Sequence, residues 1–97
     1  MARQYEVVYI MNPALGEEGL ASTSAKIRSL IDANVTVADV EPWGLRRLAY
    51  QIEKIREGYY ELVRFTTDDA AFPKELERVL KITDGILRYL VVRIDER

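Results

Sequence analysis

Tyr5-Glu6-Val7-Val8-Tyr9-Ile10-Met11, closed by Asn12-Pro13, is a run of β-branched, aromatic and apolar residues with a single acid in it, ended by a turn pair. That pattern reads as a strand followed by a stop, and its nearly continuous apolarity reads as a central strand. Downstream of it the period changes. From about Glu17, Leu20, Ile27, Leu30 and Ile31 recur at three- and four-residue steps with Ala21 and Ser24 between them, which is one apolar stripe of a helix ending near Asn34. Val35, Val37 and Val40 begin a second strand whose period slips between 37 and 40 as at a bulge, and Glu41-Pro42-Trp43-Gly44 interrupts it.

Leu45 to Ile52 resumes extended character, Lys54 to Gly58 reads as a turn, and Tyr59 to Thr67 is a further strand, so the three form a long hairpin. Asp68 or Asp69 is a natural N-cap for a second helix, with Pro73 tolerated in its first turn and Phe72, Leu76, Val79 and Leu80 as its apolar stripe. Thr83-Asp84-Gly85 stops that helix, and Ile86 to Ile94 is a last, nearly all-apolar strand. The order βαββαβ predicts an α+β, ferredoxin-like domain spanning 1–97: two right-handed split βαβ units, a four-stranded antiparallel sheet in order 4-1-3-2, and both helices on one face. Strand alternation then assigns Val7, Tyr9 and Met11 to the helices and Glu6, Val8 and Ile10 to the opposite face. Val8, Ile10, Tyr60, Leu62, Leu90 and Val92 are expected to form one bare apolar patch there, large enough to call for a covering partner.

The 97 residues (11.2 kDa) suffice for one small core; 48% are hydrophobic and 31% charged, the balance of a folded soluble domain. Cys and His are both absent. That excludes disulfides, thiolate or imidazole zinc sites, thiol nucleophiles and imidazole bases, and with them most familiar enzyme chemistry. A chain of this size without staples, opening Met-Ala-Arg-Gln-Tyr-Glu with no long apolar run behind it, is expected in the cytoplasm. The acidic pairs Glu17-Glu18 and Asp68-Asp69 fall at helix starts, where carboxylates cap free amides, and no Gly-rich loop follows a strand to cradle phosphate. Neither an active site nor a cofactor, metal, membrane or small-molecule substrate is expected.

Net charge is −2, but it is unevenly distributed. Residues 1–43 carry three basic and six acidic side chains, residues 44–64 five and three, and residues 65–97 six and seven. Only the middle stretch is basic, and within it lies Gly44-Leu45-Arg46-Arg47-Leu48-Ala49-Tyr50-Gln51-Ile52. Adjacent arginines on an extended strand point to opposite faces, guanidinium forks suit phosphate, and Tyr50 and Trp43 offer flat rings for stacking. The bland reading of the same residues has Trp43 and Tyr50 capping the core and the arginines paired with Glu41 or Glu53.

The run Gly44 to Ile52 resembles the signature stretch of the bacterial small-subunit ribosomal protein six family. Tyr5-Glu6-Val7 through Asn12-Pro13, and Lys54 followed by Gly58, Tyr60 and a third strand, are similar to that family's other marks, and the likeness covers essentially the whole chain. The resemblance implies a structural protein of the small ribosomal subunit that pairs with small-subunit protein eighteen and docks on the central domain of small-subunit ribosomal RNA. It implies RNA contacts at Arg3, Arg46, Arg47 and Tyr50, with Lys54 and Arg56 in the turn, and gives the bare apolar face a partner. A basic partner supplying phosphate neutralisation reconciles the acidic pI of about 5.2 with RNA binding. Many members have proline where Gln51 stands, so this strand is expected to bend less there; the chain ends at Arg97, so no contacts of a longer tail carry over.

Two other functions share this topology. One is a free-standing module that binds a ligand or dimerises through its open face, and the other is an acylphosphatase-like hydrolase, which lacks its phosphate loop here. An RNA-recognition motif would place aromatics on the outer face of both central strands, where only Tyr60 qualifies.

Overall fold

The computed structural model describes residues 3–52 and 54–94. Its elements are β1 (Arg3–Met11), a 3-10 turn (Pro13–Leu15), α1 (Gly16–Asn34), β2 (Val37–Ile52), β3 (Ile55–Thr67), α2 (Phe72–Ile82) and β4 (Ile86–Ile94). The sheet order is β2-β3-β1-β4 with every pair antiparallel, which is the expected 4-1-3-2 arrangement. β1 and β3 are central, which is why their inward rows hold Tyr5, Val7, Tyr9 and Met11, and Val63 and Phe65, all buried. Ile27 and Ile31 of α1, and Phe72, Leu76 and Leu80 of α2, close the core against them. Burying each such side chain contributes about 1.5–3 kcal/mol, so the single shared core holds both helices to one face.

The helix stops are local chemistry. Asn12 accepts from the Ala14 amide through its side chain (2.9 Å) and donates its own amide to the Gly85 carbonyl (2.7 Å), clasping the end of β1 to the start of β4. Neither Asp68 nor Asp69 is the N-cap of α2, contrary to expectation: that position is Ala71, and the Asp69 carboxylate accepts from the Ala71 amide (2.9 Å) in a turn that leads into the helix. Glu17 and Glu18 do sit in the first turn of α1, where the helix dipole favours them.

Three expectations about the hairpin are corrected. β2 pairs regularly with β3 from Val37 through Pro42, so there is no slip between 37 and 40; the irregularity falls at Trp43, where Gly44 takes φ 79. Glu41 to Gly44 therefore does not interrupt the strand, because one extra residue is absorbed as a bulge and pairing resumes at Gly44 opposite Tyr60. The turn is also shorter than Lys54–Gly58: Ile52 pairs with Ile55, Lys54 takes φ 70, and Arg56, Glu57 and Gly58 belong to β3. Glu53, offered above as an arginine partner, lies outside the described residues, as do the first two residues and the tail at Arg97.

A second irregularity lies at the motif itself. Arg47 pairs with Glu57 and the register resumes only at Ile52 opposite Ile55, so Leu48 to Gln51 stand against the single residue Arg56. Rather than running straight at Gln51, the strand makes a wide bulge here. Leu48 is buried by it beside Ile10, while Tyr50 is left 76% exposed.

Candidate nucleic-acid and partner interface

The bulge and the strand pleat together distribute the cations of the motif. Arg46 lies opposite Gly58, in the row that shares the helix-free face with Ile10, and Arg47 opposite Glu57, in the other row. Arg47 and Arg56 line a groove of about 470 Å³ with Leu48, Ala49 and Glu57. On the opposite side the Arg46 guanidinium lies over the Trp43 ring, 5.7 Å from its centroid, and donates to the Trp43 carbonyl (3.3 Å). Trp43 in turn stacks on Tyr60 at 6.2 Å and donates its indole N–H to Glu41 (3.0 Å). Neither Arg46, Arg47 nor Arg56 forms an ion pair with a carboxylate among the described residues. The pairing of the arginines with Glu41 set out above is absent, since Glu41 binds Trp43 and Arg64.

Arg3 does not join this cluster. It pairs with Thr67, eleven residues along β3 from Arg56, roughly 36 Å at an ordinary strand rise, in a molecule whose longest dimension is 42 Å. The hairpin cations and Arg3 thus occupy opposite ends of one sheet. Lys54 is exposed at the turn.

The helix-free face is narrower as an apolar surface than alternation implied. Leu90 (60% exposed) and Val92 (43%) are open and Val8 and Tyr60 are half-buried, but Ile10 and Leu62 are buried within the chain. The hairpin bulge lays Leu48 beside Ile10, a long-range packing that alternation does not reveal. The same face carries Arg64, whose guanidinium meets Glu6 (2.9 Å), Glu41 (3.2 Å) and Asp39 (3.8 Å) across three strands. The hydrogen bond to Glu6, with the one to Glu41, holds the Arg64 pKa above its ordinary value. One cation against three carboxylates leaves that end of the face acidic. Sequence reasoning missed this hub; 6, 39, 41 and 64 become neighbours only through the register of three strands.

Under α1 lies a polar contact of another kind. The buried Tyr9 phenol donates to the Glu61 carboxylate, and Ser24 of α1 lies 2.8 and 2.9 Å from its two oxygens. This ties the helix to the two central strands, and no catalytic grouping forms around it.

An antiparallel split-βαβ sheet whose β2–β3 hairpin carries exposed rings and arginines without an ion pair among the described residues defines a ferredoxin-like binding domain. The family model described as ribosomal protein S6 matches residues 4–93. Small ribosomal subunit protein bS6 of Clostridium botulinum (strain 657 / Type Ba4) is 48% identical over 91 residues, covering 93% of this chain and 96% of that protein. The bS6 of Clostridium perfringens (strain SM101 / Type A) is 43% identical over 95 residues, 97% and 99% of the two chains. The crystal structure of 30S ribosomal protein S6 from Thermotoga maritima superimposes with a TM-score of 0.88 at 29% identity, covering 97% of this chain and 89% of that one. The chain belongs to the ribosomal protein S6 family. It is accordingly a structural, RNA-binding protein of the bacterial small ribosomal subunit, acting in translation on the cytoplasmic ribosome, and not an enzyme.

Proposed function

We propose that this protein docks on the central domain of small-subunit ribosomal RNA as a pair with small-subunit protein eighteen, the hairpin meeting RNA and the helix-free face meeting protein. The observation that carries the RNA half is the wide bulge at Leu48–Gln51, which holds Tyr50 out into solvent between arginines that have no carboxylate partner among the described residues. Arg46, Arg47, Tyr50, Lys54 and Arg56 form this contact, and Arg3 is a separate one at the far end of the sheet. The protein half rests on Val8, Leu90 and Val92, beside Tyr60 and the buried Ile10 and Leu62, with the acidic surroundings of Arg64 suited to a basic partner. Leu90 and Val92 stand in one row of that face, Leu90 directly opposite Val8, and form an open apolar strip that a partner would cover.

Calorimetry tests both halves. Mixing the protein with small-subunit protein eighteen is expected to give a complex with a negative heat-capacity change, and the complex to bind a central-domain RNA fragment. Absence of both events, with a stable homodimer in sedimentation, would overturn the proposal in favour of a self-associating module.

A further inference from the structure

Beyond the hairpin, the helix-free face holds a recess of about 150 Å³ where β4 contributes to the same end of the sheet. Its walls are Ile10, Leu48, Ala49, Tyr50, Tyr60 and Arg88. Arg88 faces Ile10 across the β1–β4 pair, as Tyr60 faces Ile10 across β1–β3, so one cross-strand row brings a cation, an aliphatic floor and a ring together. The Arg46–Trp43 stack adjoins it, because Trp43 lies on Tyr60. No carboxylate lines the recess, and Arg88 has no ion-pair partner among the described residues, although the chain as a whole carries −2.

Resting on the RNA-binding reading above, we infer that this recess receives one unpaired RNA nucleotide, its base against Tyr50, Tyr60 and Leu48 and its phosphate on Arg88. Size, shape and charge agree on that occupant. The volume is below the roughly 300–1,000 Å³ of sites for whole small-molecule ligands and admits one planar group. Its apolar floor and exposed Tyr50 ring offer a stacking surface, which is how splayed-out bases are held. The carboxylates of this face gather around Arg64, Glu41 reaching also to the Trp43 indole, and none of them lines the recess, so an anion entering it meets Arg88. The site makes β4 part of the RNA surface and divides the outer face, with RNA at the Ile10–Tyr60 end and the open apolar residues Leu90 and Val92 beyond it.

The test is a salt titration of affinity for a central-domain RNA fragment, with small-subunit protein eighteen present, for the wild type and three variants. Arg88→Ala is expected to weaken binding about five- to tenfold and to lower the salt slope by about one, as for one lost phosphate contact. Ala49→Phe fills the recess and removes no charge, so it is expected to weaken binding by a similar factor at unchanged slope. The Arg47→Ala/Arg56→Ala variant, in the groove that neither residue shares with the recess, reports the hairpin alone. Both Arg88 and Ala49 are exposed, and circular dichroism verifies that each variant folds. Wild-type affinity in Arg88→Ala and Ala49→Phe beside a weakened arginine pair overturns the recess and leaves the hairpin reading standing. No RNA binding by the wild type overturns both.

Discussion

The phenol of Tyr9, fully buried under α1, donates its hydrogen bond to the carboxylate of Glu61, its direct neighbour across the β1–β3 pair. Burial first, and then the bond to Glu61, push the Tyr9 pKa far above its ordinary 10.0. Tyr9→Phe is expected to cost about 1–3 kcal/mol, because a half-buried carboxylate loses a donor. The folded chain keeps this proton where the unfolded chain releases it, so stability is intact below pH 10 and falls as pH rises beyond it, by up to about 1.4 kcal/mol per pH unit from this group. Denaturant melts from pH 8 to 11 check both effects, the alkaline loss being shallower in Tyr9→Phe.

At Gly58 the backbone of β3 passes close beneath the side chains of Ile10 and Leu48. A Cβ there falls 2.2 Å from Ile10 Cγ2 and 3.4 Å from Leu48 Cδ2. Gly58→Ala is expected to destabilise the protein by about 1–3 kcal/mol through overpacking. In an Ile10→Ala background the same change is expected to cost under about 0.5 kcal/mol, since the clashing methyl is gone, and a double-mutant cycle by thermal unfolding measures the difference.

Replacing Arg46 and Arg47 together by Ala removes one cation from each face of the hairpin. Binding to the central-domain RNA fragment is expected to weaken by a few kcal/mol at most and the salt slope to fall by about one to two. Neither guanidinium joins an ion pair among the described residues and Arg46 loses only exposed contacts with Trp43, so the unfolding midpoint is expected to fall only slightly. A salt slope equal to wild type would remove the hairpin from the RNA surface.

Leu90 and Ile82 are large, open side chains, 60% and 64% exposed, on β4 and α2 respectively. Each changed to Glu is expected to shift stability by no more than about 0.5 kcal/mol. Leu90→Glu alone is expected to weaken complex formation with small-subunit protein eighteen, by about 1 kcal/mol or more in calorimetry, because only Leu90 lies on the outer sheet face.

Local pattern determined much of this protein. The run from Tyr5 to Pro13, the stripes of α1 and α2 and the apolar β4 are written in hydrophobic period and stop residues, and the βαββαβ order with right-handed crossovers leaves one economical topology. The opposite facing of Arg46 and Arg47 also follows from the pleat. What tertiary structure alone decided depends on register between strands distant in sequence. It set the bulges at Trp43 and at Leu48–Gln51, the burial of Ile10 and Leu62, the gathering of Glu6, Asp39 and Glu41 on Arg64, and the placing of Arg88 beside Tyr60. Alternation tells which face a side chain takes, whereas its neighbours on that face are set by how three other strands slide into place, and that is fixed by packing of the whole sheet.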